Sequence, residues 1–160
     1  MTLITDVPSF DARLKALAIE LPKVPVPIAN FVPFRRHGDF VFLAGQVCEW
    51  NGEVHYVGKV GRDYTLDEGQ KAARVCALNL IAALKAACGG TLDPVAACIR
   101  LGGFVNCAPD FKEIPQVING ASDLMHELFG AQGAHARTAV GVAGLPRGAA
   151  VEVDAIFALA

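Results

Sequence analysis

The sequence predicts an α+β fold, with two main helices packed on one face of a single sheet and a short additional helix at the N-terminus. Three observations lead there. β-rich and helical runs alternate in the order ββ(β)αβαββ, which sets helices over one face of one sheet. Thr65-Leu66-Asp67-Glu68 is a capping-box pattern that opens a long run rich in Ala, Leu and Lys. Finally, 53% of the residues are hydrophobic and only 19% are charged, and no apolar run reaches the roughly 20 residues of a membrane span. The apolar surplus is therefore expected to be buried between subunits.

Taken in order, Asp6 or Ser9 can cap an amphipathic helix running to about Ile19, with Phe10, Leu14, Leu17 and Ala18 on one face. Leu21–Pro27 contains three prolines in seven residues and reads as an extended connector. Phe31–Arg36 and Asp39–Ala44 are β-rich runs around a His37-Gly38 turn. Asn51-Gly52 signals a hairpin between Val47–Trp50 and Glu53–Val57. Gly58–Asp63 is a loop. The first long helix runs from Thr65 to Ala87 and stops at Gly89-Gly90. Val95–Asn106 reads as a strand whose Gly102-Gly103 pair marks a bulge or a close backbone approach. A second helix spans Phe111–Leu128, begun near Asp110 and disturbed at Pro115 and Gly120. His135–Val142 and Ala150–Phe157, joined by Leu145-Pro146-Arg147-Gly148, are expected to close the chain as an antiparallel hairpin. The expected organisation is a helix and connector over 1–26 and a sheet-forming domain over 27–160.

A length of 160 residues suits one domain, which at this size buries about 70% of its unfolded surface. The net charge of −2 lacks the basic footprint of a nucleic-acid binder. Five cysteines without a CxxC pair, and His37, His55, His126 and His135 scattered along the chain, give no metal set. No HExxH, P-loop, GxGxxG or GxSxG pattern occurs. The cysteines and an N-terminus without a cationic region before an apolar core lead us to expect a cytoplasmic protein. No cofactor, nucleic acid or membrane is expected as a partner.

Charges among apolar neighbours are costly unless something satisfies them, so the C-terminal quarter is where a site is expected. Arg137 lies there, with Glu152 and Asp154 on one face of a strand and Val151, Val153 and Ala155 on the other. A guanidinium can hold a carboxylate bidentately; a salt bridge to Glu152, to Asp154 or to another subunit is the alternative use. Glu152 is either a base or a structural ion-pair partner.

The runs Ala136-Arg137-Thr138-Ala139-Val140, Leu145-Pro146 and Val151-Glu152-Val153-Asp154-Ala155-Ile156 resemble the C-terminal signature of the RidA/YjgF reactive-intermediate deaminase family. Phe42-Leu43-Ala44-Gly45-Gln46 is similar to its small-residue-Gly-Gln segment, and Gln70–Leu84 to its first long helix. The resemblance implies a chorismate-mutase-like fold and a homotrimer with ligand sites between subunits. It also implies Arg137 as the carboxylate anchor, backbone help from Gly45, and Glu152 positioning the hydrolytic water. Gly45 can equally serve a twisted strand.

Four positions depart from the family pattern. Phe31 stands where a tyrosine is usual, Ala44 where a serine is, Ala139 where a cysteine is, and Ser122 where a helix asparagine would line the pocket. The expected activity is hydrolysis of 2-enamine or 2-imino acids to 2-oxo acids and ammonia. A non-catalytic protein sensing a small carboxylate metabolite is the alternative, favoured by the missing hydroxyl and thiol; a ribonuclease is a weaker one.

Overall fold

The computed structural model describes residues 9–160; Asp6, one of the two expected caps, lies outside them. Helix α1 spans Phe10–Ala16 and starts at Ser9, whose hydroxyl accepts from the Ala12 amide at 3.1 Å. It stops short of Ile19 because Ala18 turns to φ 52°. Leu14 is buried, and the Phe10 ring meets Phe129 edge-on at 4.9 Å. Asp11 ties the helix down, pairing with Lys85 at 2.7 Å and accepting from the Leu92 amide at 2.9 Å.

The remaining elements are β1 (Phe34–His37), β2 (Phe40–Val47), β3 (Glu49–Trp50), β4 (Glu53–Val54), α2 (Leu66–Ala87), β5 (Val95–Asn106), α3 (Ile114–Phe129), β6 (Ala136–Val142) and β7 (Val151–Leu159). Strands β3 and β4 form the small Asn51-Gly52 hairpin, with Asn51 at φ 50° and Gly52 at φ 94°. The other five make one sheet in the order β1-β2-β7-β5-β6. The α+β architecture matches the expectation. No helix among the described residues is long and apolar enough to cross a membrane.

The closing hairpin does not form. Strand β6 runs parallel to β5, while β7 inserts between β2 and β5, antiparallel to both. The reason lies in the connections. Helix α3 supplies the crossover that a parallel β5–β6 pair requires. Residues 143–150 are too long for a two-residue hairpin loop; within them Pro146–Gly148 makes a 3₁₀ turn with Arg147 at φ 57°. The central position suits β7, because it lets the strand hydrogen-bond along both edges.

Helix α2 begins with the full capping box: Thr65 Oγ1 accepts from the Glu68 amide at 3.3 Å, and Glu68 accepts from the Thr65 amide at 2.8 Å. Its buried stripe includes Ala73, Cys76, Ala77, Leu80 and Leu84. Helix α3 starts at Ile114 rather than near Asp110, and Pro115 sits in its first turn, where a missing N–H costs nothing. Gly120 leaves the helix unbroken. Its absent Cβ makes room for the Gln70 carbonyl of α2, and Gln70 Nε2 donates to Gln116 O at 2.8 Å across the same crossing. Gly103 likewise admits Ile118 of α3 against the sheet, while the register slips of β5 fall earlier, at Val95–Ala97 and Cys98–Arg100. Val151, Val153, Ala155 and Phe157 of β7 lie buried beneath the helices.

A methyl group at Gly120 would force α2 and α3 apart. Gly120→Ala is expected to lower unfolding free energy by about 1–3 kcal/mol in urea titration, the usual cost of overpacking; an unchanged midpoint would show that the crossing has slack.

Candidate functional site

Strand β2 slips register against β7 between Leu43 and Gln46, so Ala44 and Gly45 bulge out of the ladder. The slip lets the Glu152 carboxylate lie directly on Gly45, where a Cβ would collide with its Oε1. Close approach of a side chain, rather than strand twist alone, is what Gly45 accommodates. Glu152, Gly45 and Phe31 all line a cavity of about 250 Å³, together with Gln46, Glu49, Arg147 and the connector from Pro25 to Ala29. Burial pushes the Glu152 carboxyl up from its ordinary range, and the neighbouring Asp154 adds to the rise. Asp154 pairs with Arg100 of its own chain at 3.2 Å. Ala44 lies outside this cavity, in a shallow depression with Phe31 and Phe42, and its amide donates to Pro33 O at 3.0 Å.

Arg137 stands on the other side of the sheet. In register it faces Leu101, whose side chain is buried beneath the helices, and its guanidinium reaches α3. One terminal nitrogen donates to Asn119 Oδ1 at 2.8 Å and to Ser122 Oγ at 3.1 Å; the other donates to Pro115 O at 3.1 Å. These acceptors are all neutral. Among the described residues no carboxylate pairs with Arg137, so its orientation is fixed while its charge stays uncompensated.

Ser122 continues the chain of bonds. Only 8% exposed, it lies 2.8 Å from His135 Nε2, and His135 Nδ1 lies 2.6 Å from Gly133 O. Since the carbonyl can only accept, Nδ1 carries the proton, and in the neutral ring Nε2 accepts from the serine hydroxyl. Burial lowers the His135 pKa, the Gly133 bond opposes that, and His126 and Arg137 lower it further. The neutral form is thereby favoured. The hydroxyl is left with its oxygen lone pairs facing Arg137. Ala139 is half-buried two residues along the same strand.

The expected site residues thus fall into two groups. Phe31, Gly45 and Glu152 share a cavity on one face; Arg137, Ser122 and Ala139 lie on the other, across β5. Strands sit about 4.8 Å apart, so β6 and β7 are separated by roughly 10 Å as well as by the sheet itself. One chain cannot bring Arg137 and Glu152 to the same small molecule.

Two further residues were not singled out in the sequence. Asn119 shares a face of α3 with Ser122, three residues away, a spacing that becomes informative only once α3 is known to cover β6. Arg147 sits in the turn before β7 and reaches back to Glu49, a buried carboxylate, and to Gly52 O at 3.1 Å.

The fold agrees with the comparisons. The family model "YjgF/chorismate mutase-like, putative endoribonuclease" matches residues 11–157. The chain belongs to this YjgF/RidA family. Protein TCP17 of Trypanosoma cruzi is 44% identical over 149 residues, covering 92% of each chain. Atu1372 of Agrobacterium tumefaciens, solved as a protein of unknown function, is 42% identical over 94% of this chain and 92% of its own, with a TM-score of 0.87. A "putative endoribonuclease" from Shewanella oneidensis MR-1 is 35% identical over 95% of this chain and 100% of its own, with a TM-score of 0.91. Escherichia coli TdcF, solved with bound serine, shares the fold at 21% identity and a TM-score of 0.60, over 88% of this chain and 94% of its own.

The Glu152 environment yields a stability test. A carboxyl whose folded pKa is raised favours folding while protonated, and that advantage disappears as pH rises through the folded value. Glu152→Gln is therefore expected to match or exceed the wild type in urea stability at pH 7, with the difference shrinking toward pH 4. A large loss at pH 7 would assign Glu152 a structural bond instead.

Proposed function

We propose that this protein takes a small 2-imino or 2-enamino acid at the contact between subunits and hydrolyses it to a 2-oxo acid and ammonia. The observation that carries this reading is Arg137, a cation oriented by neutral oxygens and left without a carboxylate of its own. A substrate carboxylate would complete it through a charge-assisted pair. Because Arg137 and Glu152 lie on opposite faces, Arg137 of one subunit would meet the cavity of the next. A closed ring of such head-to-tail contacts, three subunits as the family resemblance implies, satisfies every site. The exposed Phe40 and Phe42 on the uncovered sheet face supply apolar surface for the contact.

In the reaction the enamine takes a proton at carbon and becomes the imine. Glu152, drawn toward neutrality by burial, accepts a proton from water as its oxygen attacks the imine carbon. It returns that proton to nitrogen as the C–N bond breaks and ammonia leaves, while the proton of the new hydroxyl passes to solvent, balancing the one taken up at carbon. Positioning supplies the rest. We place this chemistry in the cytoplasm.

Non-catalytic sensing of a 2-oxo acid is the second reading, favoured by Phe31 and Ala139 at positions where the family offers a hydroxyl and a thiol. RNA cleavage, which the family description names, finds less support in a chain of net charge −2.

Titration calorimetry with 2-oxobutyrate is expected to show binding that falls at least tenfold in Arg137→Ala and several-fold in Ser122→Ala. Enzymatically generated 2-iminopropionate should release ammonia faster with the wild type than with Glu152→Gln. Binding without faster ammonia release would leave the sensor; no binding at all would remove both readings.

A further inference from the structure

The wall of the cavity beside Glu152 names the class of molecule it takes, an inference that rests on the reading just given. Two charged residues of the cavity wall satisfy one another: Glu49 is buried and held by Arg147, whose other terminal nitrogen is engaged by Gly52 O. Apart from Gln46 and Glu152, the remaining wall is apolar, with Val26, Pro27, Ile28, Phe31 and Pro146 its larger members. Val26 is 82% exposed and Ile28 71% exposed, large apolar side chains that the chain leaves uncovered next to a half-buried carboxylate. Their segment is held in place. The Lys23 amide donates to Asn51 Oδ1 at 2.8 Å, the Phe31 amide to Ala29 O at 2.9 Å, and Pro25 and Pro27 restrict the backbone between. A volume of about 250 Å³ equals roughly eight waters in the liquid, room for an amino-acid-sized molecule with a substantial side chain.

We infer that the site selects 2-imino and 2-oxo acids carrying a branched aliphatic or aromatic side chain over small or hydroxylated ones. With the carboxylate at the neighbour's Arg137 and the reacting carbon at Glu152, the side chain projects along Val26, Ile28 and Phe31. Each methylene buried there raises affinity roughly fourfold. Along that apolar stretch a side-chain hydroxyl finds no partner, because Phe31 has none to offer and Glu49 and Arg147 are occupied with each other.

Calorimetric titration with pyruvate, 4-methyl-2-oxopentanoate and phenylpyruvate tests this on the intact protein, with Ile28→Asp and Arg137→Ala alongside. The two larger acids are expected to bind at least tenfold more tightly than pyruvate. Ile28→Asp should cut that ratio at least fivefold, with its fold checked by an unchanged thermal midpoint. Equal affinities for all three acids, lost in Arg137→Ala, would overturn the selectivity and leave the site reading standing. No binding by any acid would overturn both. A ratio unmoved by Ile28→Asp, accompanied by a changed oligomeric state, would assign the apolar wall to a subunit contact and overturn the selectivity.

Discussion

Strand β7 lies between β2 and β5, hydrogen-bonded along both edges, and its strict alternation sends Val151, Val153, Ala155 and Phe157 under the helices. The same alternation leaves Glu152 and Asp154 no choice but the uncovered face. A slip of one residue would bury two carboxylates beneath α2 and expose the apolar set, at a cost far beyond the protein's net stability. The Glu152 side of the candidate site follows from this fixed register: the carboxylate over Gly45, the bulge that admits it, and the cavity beside it.

The edge position of β6 has the opposite consequence. Its inward face is covered by α3, so Arg137 meets helix oxygens rather than an acid, and the serine–histidine pair behind it holds the guanidinium still. An arginine oriented by neutral groups keeps its attraction for an anion; one locked to a carboxylate would have spent it. On the proposed reading, opposite faces for Arg137 and Glu152 would give oligomerisation a chemical purpose, since a second copy would complete what one chain holds only in halves. The apolar composition and the exposed Phe40 and Phe42 of the open face fit the same arrangement.

Much of the fold was legible from local signals. The Thr65–Glu68 capping box, the Asn51-Gly52 turn and the alternation of β7 each act within a few residues, and each appears where the sequence puts it. Signals that depend on a distant partner misled. Pro115 and Gly120 looked like breaks in α3, yet one belongs to a helix's first turn and the other to a crossing with α2. The terminal runs looked like a hairpin because they are neighbours in sequence, but pairing is decided by the whole sheet, and α3 had already carried β6 alongside β5. Glu152, Gly45 and Phe31 line one cavity, whereas Arg137 does not join them within the chain.

The sequence by itself determined which segments are helix or strand, which side of β7 is polar, and which family the C-terminal motif resembles. Those properties depend on backbone preference and periodicity, which are local. Tertiary structure alone decided the strand order, the separation of Arg137 from Glu152, the Asn119–Ser122–His135 support, and the Glu49–Arg147 pair. Each of these depends on which surfaces meet, and burial chooses among such meetings by the area that the entire chain removes from water.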